Sequence, residues 1–216
     1  MFGLLALVAT AEHAWRLAFA WMGVTMLIDS IDGGLARVAK VKHALPGFDG
    51  ALLDNIVDYF TYTVVPAFFI FEAGLVPHGW NTIIAMAVLF ASAYQFAQTN
   101  AKTEDHTFLG FPSYWNVVVA YLFLLEFTPA LNLAVLLLFS VLAFVPLKYL
   151  YPSRTPLLRP LNVGLTAVWG ILMAAALVRY PDGYRVLVYL SLLYVVYYFL
   201  FSGYLSFRRR PLPAPR

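Results

Sequence analysis

Eight apolar runs, separated by short polar or turn-forming segments, dominate the sequence. They fall at 2–12, 16–38, 51–74, 79–99, 111–127, 130–150, 160–179 and 184–206. Most of these runs approach the roughly 20 residues that a helix needs to cross the hydrocarbon core of a bilayer. Such continuous runs are typical of helices rather than of the alternating strands of a membrane barrel. The pattern therefore predicts an all-α fold, a polytopic membrane bundle of about eight transmembrane helices.

The first apolar run leaves two possible numbers of transmembrane helices. The first run is too short to cross a bilayer, so a shortened or truncated first helix, with seven full spans, is the alternative. The breaks contain turn-forming residues, as at Pro181-Asp182-Gly183. Because no internal repeat or linker interrupts the pattern, we expect one integral-membrane domain over residues 1–216.

Composition excludes several other classes of protein. The chain is 62% hydrophobic and 12% charged, with a mean hydropathy of +0.77, whereas soluble domains carry about 25% charged residues. An ordinary soluble globule, a disordered chain and a coiled coil are therefore excluded. The absence of cysteine rules out disulfides, zinc-thiolate sites and thiol nucleophiles. A net charge of +3 gives no case for a nucleic-acid partner, and we expect none.

The basic residues predict the orientation. With a cytoplasmic N-terminus and eight alternating helices, only Arg16, Arg179 and Arg185 fall on the opposite side. The cytoplasmic side receives Arg37, Lys40, Lys42, Lys102, Lys148, Arg154, Arg159, Arg208, Arg209, Arg210 and Arg216. The positive-inside rule then places both termini and the 38–50, 99–110 and 150–160 loops in the cytoplasm.

Four aspartates interrupt two adjacent apolar runs near their predicted cytoplasmic ends. Asp29 and Asp32 lie late in the second run, and Asp54 and Asp58 lie early in the third. Spacings of three and four residues place each pair on one helix face. An ionised carboxylate within a span costs about 2.5–3.5 kcal/mol. The one nearby base, Arg37, cannot balance four such charges.

Divalent cations can balance this charge. Carboxylates without cysteine, and without histidine on the same helix faces, favour a hard ion such as Mg²⁺, Mn²⁺ or Ca²⁺. Two such ions between carboxylates suit a reaction at phosphate. A cap at the membrane interface or a proton path is the simpler explanation for any single aspartate. Two face-matched pairs favour the metal hypothesis.

A longer motif surrounds these aspartates. It runs Asp29-x2-Asp32-Gly33-x2-Ala36-Arg37-x12-Gly50-x3-Asp54-x3-Asp58. This motif resembles the signature of the CDP-alcohol phosphotransferases, membrane enzymes that transfer a phosphoryl-linked group from a CDP-activated donor to an alcohol and release CMP. The twelve residues before Gly50 exceed the family's usual gap. They resemble the bacterial phosphatidylcholine synthase branch, as do residues 102–106 and 110–116.

The resemblance implies a role for each position of the motif. A di-metal centre of Mn²⁺ or Mg²⁺ would be bound by Asp29, Asp32, Asp54 and Asp58. Asp58 would also act as general base on the acceptor hydroxyl. The CDP donor would be contacted by Gly33, Ala36 and Arg37, and Gly50 would allow close packing or substrate approach. The branch further implies CDP-diacylglycerol as donor, choline as acceptor, and a location in the bacterial inner membrane among membrane lipids. A homodimer is compatible with the family, although no segment identifies an interface.

Candidates for substrate binding lie outside the motif. The quaternary ammonium of choline has no hydrogen-bond donor and needs aromatic faces or carboxylates. Candidates for its site are Glu104, Asp105, Tyr114, Trp115, Tyr59 and Tyr62, with the first four expected to form the site together. Packing in the membrane is the simpler explanation for any single aromatic residue. Donor phosphate or a lipid headgroup could bind Lys148, Arg154 and Arg159, which the positive-inside rule also explains.

Two alternatives stay open at this stage. A phosphatidylserine synthase would carry the same motif with another acceptor, whereas phosphorylated alcohols are disfavoured because no Lys or Arg occurs between 50 and 100. A divalent-cation or proton-coupled transporter would instead place polar groups on several helices near the bilayer midplane. The aspartates lie towards one end of their helices, which favours the enzyme.

Overall fold

The computed structural model describes residues 1–39 and 47–208, without the side chain of Arg37. The predictions that concern Lys40, Lys42, Arg209, Arg210 and Arg216, and those on the Arg37 side chain, therefore lie outside the described residues.

The described chain is mostly helical, as the apolar runs predict. Its helices are α1 (Phe2–Ala11), α2 (Trp15–Val38), α3 (Gly50–Asp58), a π-helical segment (Tyr59–Val64) that continues into α4 (Val65–Glu72), α5 (Asn81–Ala97), α6 (Trp115–Leu124), α7 (Pro129–Leu142), α8 (Arg159–Arg179) and α9 (Arg185–Phe207). Two short strands, β1 (Thr107–Leu109) and β2 (Lys148–Leu150), were not predicted from the apolar pattern. They pair antiparallel, with Phe108 opposite Tyr149.

Prolines explain the main differences between the apolar runs and the helices. The run at 111–127 becomes a helix only from Trp115, because Pro112 disfavours helical backbone at the residue before it. The run at 130–150 stops being helical at Leu142, four residues before Pro146. The apolar residues that these two runs place outside the helices lie in loops and in β2. Strands β1 and β2 together form a short two-stranded ribbon.

Helix α3 begins at a cap and ends in a widened turn. The carboxylate of Asp49 accepts hydrogen bonds of 3.0 Å from the backbone N–H groups of Ala51 and Leu52, which fixes the first turn. Pro66 has no N–H to donate to the carbonyl of residue 62, and its ring crowds that carbonyl. The π-helical turn directly before it makes room for this ring.

The core is built from small residues and interlocking aromatic rings. Phe19 of α2, Phe69 of α4 and Phe123 of α6 meet with ring centroids 4.7–5.6 Å apart. Helix α1 lies close to the π-helical segment, since a side chain at Gly3 would come within 2.7 Å of the Phe60 ring. This packing holds α2, which carries Asp29 and Asp32, close to the π-helical segment that follows Asp58.

The outer surface of the bundle is apolar. Helices α8 and α9 are, among the described residues, the two that are long and apolar enough to cross a membrane, and only 11% and 22% of their most apolar windows are buried. A core helix of a soluble protein would be mostly buried. Leu27 of α2 and Phe90 of α5 are also about as exposed as Leu200 of α9, at 68%, 71% and 70%. Such a surface is suited to lipid. The count of eight spans stays a prediction.

Charged side chains concentrate at the two ends of the bundle. At one end, Glu126 pairs with Arg185 at 2.7 Å. At the other end, Lys148 of β2 pairs with Asp105 at 2.6 Å. The backbone N–H of Lys148 also donates to Ser206 of α9 at 2.7 Å, so α9 holds the ribbon in place. The aspartate motif lies at this ribbon end.

Candidate active site

Three of the four predicted metal ligands converge between α2 and α3. Asp29, Asp54 and Asp58 each offer a carboxylate oxygen, and these oxygens all lie within 4.8 Å of one another. Because Asp54 and Asp58 are four residues apart, both face α2. The three side chains are partly buried, so the cluster remains open to a ligand.

The fourth aspartate, Asp32, lies one turn further along α2. It falls outside the 4.8 Å group but is close enough to interact electrostatically with Asp29 and Asp54. The four carboxylates therefore form one negatively charged patch, with three at its centre and Asp32 towards the helix end.

The donor set fits a hard divalent cation. Opposite oxygen ligands lie about 4.2 Å apart around Mg²⁺ and about 5 Å apart around Ca²⁺, and the three carboxylate oxygens, all within 4.8 Å of one another, are close enough to surround an ion of this kind. Asp29 and Asp58 lie close enough to interact electrostatically. Two carboxyl groups this close repel each other unless a proton or a cation lies between them. The cluster can therefore hold a metal ion, and its identity is open.

Tyrosines line the side of the cluster away from solvent. The Tyr62 hydroxyl donates a 2.7 Å hydrogen bond to Oδ2 of Asp29. The rings of Tyr62 and Tyr114 lie 6.0 Å apart. The Tyr114 ring also lies 6.1 Å from the Phe108 ring and 6.5 Å from the Tyr198 ring. Phe108 and Tyr198 were not predicted from the sequence, because nothing in its spacing relates them to the motif.

The structure gives the four expected choline-binding residues, Glu104, Asp105, Tyr114 and Trp115, different surroundings, and their joint role stays a prediction. Trp115 is fully buried, and its indole N–H donates to Ser92 Oγ at 2.7 Å. Glu104 is exposed on the loop. Asp105 is paired with a lysine. Only Tyr114 of this group borders the aspartates.

Tyr59 is directed elsewhere as well. Its hydroxyl donates to the backbone carbonyl of Leu89 at 3.2 Å, and its ring packs edge-on against Phe96 at 5.9 Å. Tyr59 and Tyr62 are three positions apart in the widened turn, and their side chains have different partners. Of this pair, Tyr62 contacts the cluster.

The basic candidates differ in their surroundings. Lys148 is held by Asp105, whereas Arg154, between β2 and α8, and Arg159, the first residue of α8, are exposed. Among the described residues, the base that approaches the cluster is Lys102, which was assigned no site role from the sequence. Its Nζ lies 3.9 Å from Oδ2 of Asp54.

The small residues of the motif lie beside the patch. Gly33 and Ala36 follow Asp32 on α2. A side chain at Gly50 would meet no described atom within 4 Å, so close packing within the described chain does not require glycine there. The other role expected for Gly50, the approach of a substrate, stays a prediction.

Comparisons with known proteins identify the family of this chain. A family model of the CDP-alcohol phosphatidyltransferases matches residues 1–147. The chain belongs to this family, whose members are membrane proteins.

Relatives within the family are similar over most of their length. The chain is 42% identical over 212 residues to the phosphatidylcholine synthase of Legionella pneumophila, covering 95% of this chain and 83% of that protein. It is 40% identical over 173 residues to the phosphatidylcholine synthase of Rhizobium meliloti, covering 80% and 72%. The phosphatidylcholine synthase of Borreliella burgdorferi is 32% identical over 210 residues, covering 96% and 90%.

Proposed function

We propose that the protein is a phosphatidylcholine synthase, which transfers the phosphatidyl group of CDP-diacylglycerol to choline and releases CMP. The observation that carries this proposal is the cluster of Asp29, Asp54 and Asp58 beside the Tyr62–Tyr114 pair. The similarity to phosphatidylcholine synthases over most of the chain supports it.

The metal centre would be held by the four aspartates. Asp29, Asp54 and Asp58 supply its centre, and Asp32 extends the patch towards the donor-binding end of α2. Two ions, Mn²⁺ or Mg²⁺, would neutralise phosphate charge and stabilise the attacking and leaving oxygens.

The side chains of this chain then have distinct tasks. Gly33, Ala36 and Arg37 bind the CDP part of the donor. Asp58 accepts the proton of the choline hydroxyl as its oxygen bonds to the phosphorus that bears diacylglycerol. The bond from that phosphorus to the bridging oxygen breaks, and CMP leaves with the electron pair. Tyr62 holds Asp29 in the orientation that its ligand role needs.

The acceptor pocket would lie against Tyr62 and Tyr114. Aromatic faces and nearby carboxylates attract a quaternary ammonium that offers no hydrogen bond. Asp29 and Asp58 supply negative charge at this place. The same charge disfavours serine, because serine would bring its own carboxylate against them.

The rest of the chain would form one domain over residues 1–216 in the bacterial inner membrane, with about eight spans. The ribbon end, with Lys102, Lys148 and the aspartates, would face the cytoplasm. Lys148, Arg154 and Arg159 would then lie where anionic headgroups or donor phosphates approach. A homodimer stays a prediction, which chemical crosslinking in membranes would test.

The deciding experiment follows CMP release. Purified protein with Mn²⁺ or Mg²⁺ and CDP-diacylglycerol receives choline, serine or glycerol 3-phosphate in separate reactions. We expect release with choline. Release with serine alone would support a phosphatidylserine synthase, and no release with any alcohol would overturn the enzyme hypothesis and return the transporter hypothesis to consideration.

A further inference from the structure

One cation outside the motif reaches the aspartate cluster. Lys102 Nζ lies 3.9 Å from Oδ2 of Asp54, which is beyond hydrogen-bonding distance. The ammonium therefore attracts the Asp54 carboxylate without donating a hydrogen bond to it. None of its three N–H groups is bonded to this carboxylate. The Lys102 side chain is 54% exposed, so a ligand entering the cluster from the ribbon end can contact it.

The loop that carries Lys102 is firmly built. Leu109 donates its N–H to the carbonyl of Ala101 at 2.9 Å, and Lys102 forms an isolated antiparallel bridge with Phe108. Thr103 and Thr107 bond through their side chains at 2.8 Å. These contacts close residues 101–110, here called the 101–110 loop, into a small hairpin whose base points Lys102 at Asp54.

The 101–110 loop is also fixed to the rest of the ribbon end. The Lys148–Asp105 pair at 2.6 Å joins it to β2. Thr155 donates to the carbonyl of His106 at 2.8 Å. Because the loop is held at both its tip and its base, the backbone at Lys102 stays close to one position. A group that binds a ligand at a fixed place needs such support.

Charge balance indicates which ligand this is. Under the proposed function, four carboxylates and the donor's diphosphate carry six negative charges, of which two divalent cations neutralise four. The motif supplies one further cation, Arg37. Before choline binds, one negative charge remains to be neutralised, and among the described residues Lys102 is the basic side chain placed beside the cluster. The acceptor is cationic choline, so the anion that a lysine can bind here is the donor diphosphate.

We infer that Lys102 binds the diphosphate of the nucleotide donor, with the 101–110 loop as its support. This inference rests on the proposed function and assigns that site a residue outside its motif. When the donor arrives, the Lys102 ammonium donates to a phosphate oxygen. A lysine suits this task because its compact charge can turn towards phosphate from a flexible stem.

The test compares Lys102→Met and Lys102→Arg with the unchanged protein. CDP is the soluble probe, bound to full-length protein in detergent with Mn²⁺, and KM values are measured for CDP-diacylglycerol and choline. We expect Lys102→Met to weaken CDP binding and raise the CDP-diacylglycerol KM by about 10- to 100-fold, the range for a hydrogen bond between charged groups. Lys102→Arg keeps most of this affinity. The choline KM should change by less than about twofold, as for a charge that choline does not contact.

Mn²⁺ binding without nucleotide separates this role from a simpler one. If Lys102 only balances Asp54, its removal changes Mn²⁺ affinity and leaves CDP affinity within about twofold of the unchanged protein; that result would overturn the inference. Equal losses of Mn²⁺ and CDP affinity would also overturn it. Arg208→Met is the matched control, because it removes an exposed positive charge at the end of α9. Absence of CMP release by the unchanged protein would count against the proposed function instead, since CDP binding can still be measured.

Discussion

The hydroxyl of Tyr62 donates a 2.7 Å hydrogen bond to Oδ2 of Asp29, across the contact between α2 and the π-helical segment. This bond joins the two parts of the chain that carry the aspartates. It forms because Pro66 is preceded by a widened turn, which contains Tyr62. The orientation of Asp29 in the cluster therefore depends on a residue outside the motif.

Replacing this tyrosine should weaken metal binding. Tyr62→Phe keeps the ring and removes the donor to Asp29, so we expect the Mn²⁺ affinity to fall about tenfold, as when groups that orient metal ligands are removed. Tyr59→Phe is the matched control, because its hydroxyl donates to the Leu89 carbonyl. Titration of Mn²⁺ against both variants checks this. Equal effects would show that Tyr62 does not orient Asp29.

The central part of the site could be predicted because its spacings are local. Asp29 with Asp32, and Asp54 with Asp58, share helix faces by their separation alone, and the cost of burying them indicates a cation. The neighbours of Tyr114 could not be predicted in this way. Phe108 and Tyr198 reach it through tertiary packing, and no sequence period records which distant residues meet.

The secondary structure also shows that the sequence predicts local features better than contacts between distant segments. The helix positions follow from the apolar runs, but the β1–β2 ribbon pairs Thr107 with Leu150 across more than forty residues. Its strands are three residues each, too short for an alternating pattern to be recognised. The ion pair between Lys148 and Asp105 could not be predicted for the same reason, since Lys148 reaches Asp105 only through that pairing.

Asp58 should be indispensable for turnover. Asp58→Asn cannot accept the proton of choline, and loss of a general base costs about 10²- to 10⁴-fold in kcat. Because Asp29, Asp32 and Asp54 remain, metal-dependent binding of CDP should partly survive. CMP release and CDP binding are measured on the same preparation. Turnover near that of the unchanged protein would exclude Asp58 as the base.

Choline affinity should depend on Tyr114 and not on Trp115. Tyr114→Leu removes an aromatic face beside the aspartates, and we expect the choline KM to rise about 5- to 30-fold with little change for CDP-diacylglycerol. Trp115→Phe removes the buried bond to Ser92 and should lower thermal stability without this selective effect. Steady-state kinetics with each substrate varied in turn would reveal equal KM changes if the assignment were mistaken.

The Lys148–Asp105 pair should act on the donor site as a unit. Lys148→Met and Asp105→Asn each release the 101–110 loop from β2, so each should raise the CDP-diacylglycerol KM. Both side chains are more than two-thirds buried, with 29% and 27% exposed, and we expect a coupling energy of about 1 kcal/mol in the double variant. Strictly additive effects on KM would show that the pair does not position the loop.

Gly110, at the end of the 101–110 loop, has no room for a side chain. Its φ is +81°, and a side chain there would lie 2.5 Å from the carbonyl oxygen of Ala143 and 2.8 Å from Oε1 of Gln95. Gly110→Ala should therefore lower the unfolding free energy by about 2–4 kcal/mol, from both backbone strain and overlap. Gly74→Ala is the matched control, because its φ is +62° but no described atom lies within 4 Å of the added carbon.

The control separates backbone strain from overlap at this position. Gly74→Ala should cost only about 1 kcal/mol, the strain of a left-handed backbone. Thermal unfolding of both variants in the same detergent measures the difference. Because the Gly110 N–H also donates to the Leu147 carbonyl at 2.9 Å, displacement there moves the loop away from β2. Gly110→Ala should therefore also raise the CDP-diacylglycerol KM, whereas Gly74→Ala, in the turn after α4, should leave it unchanged.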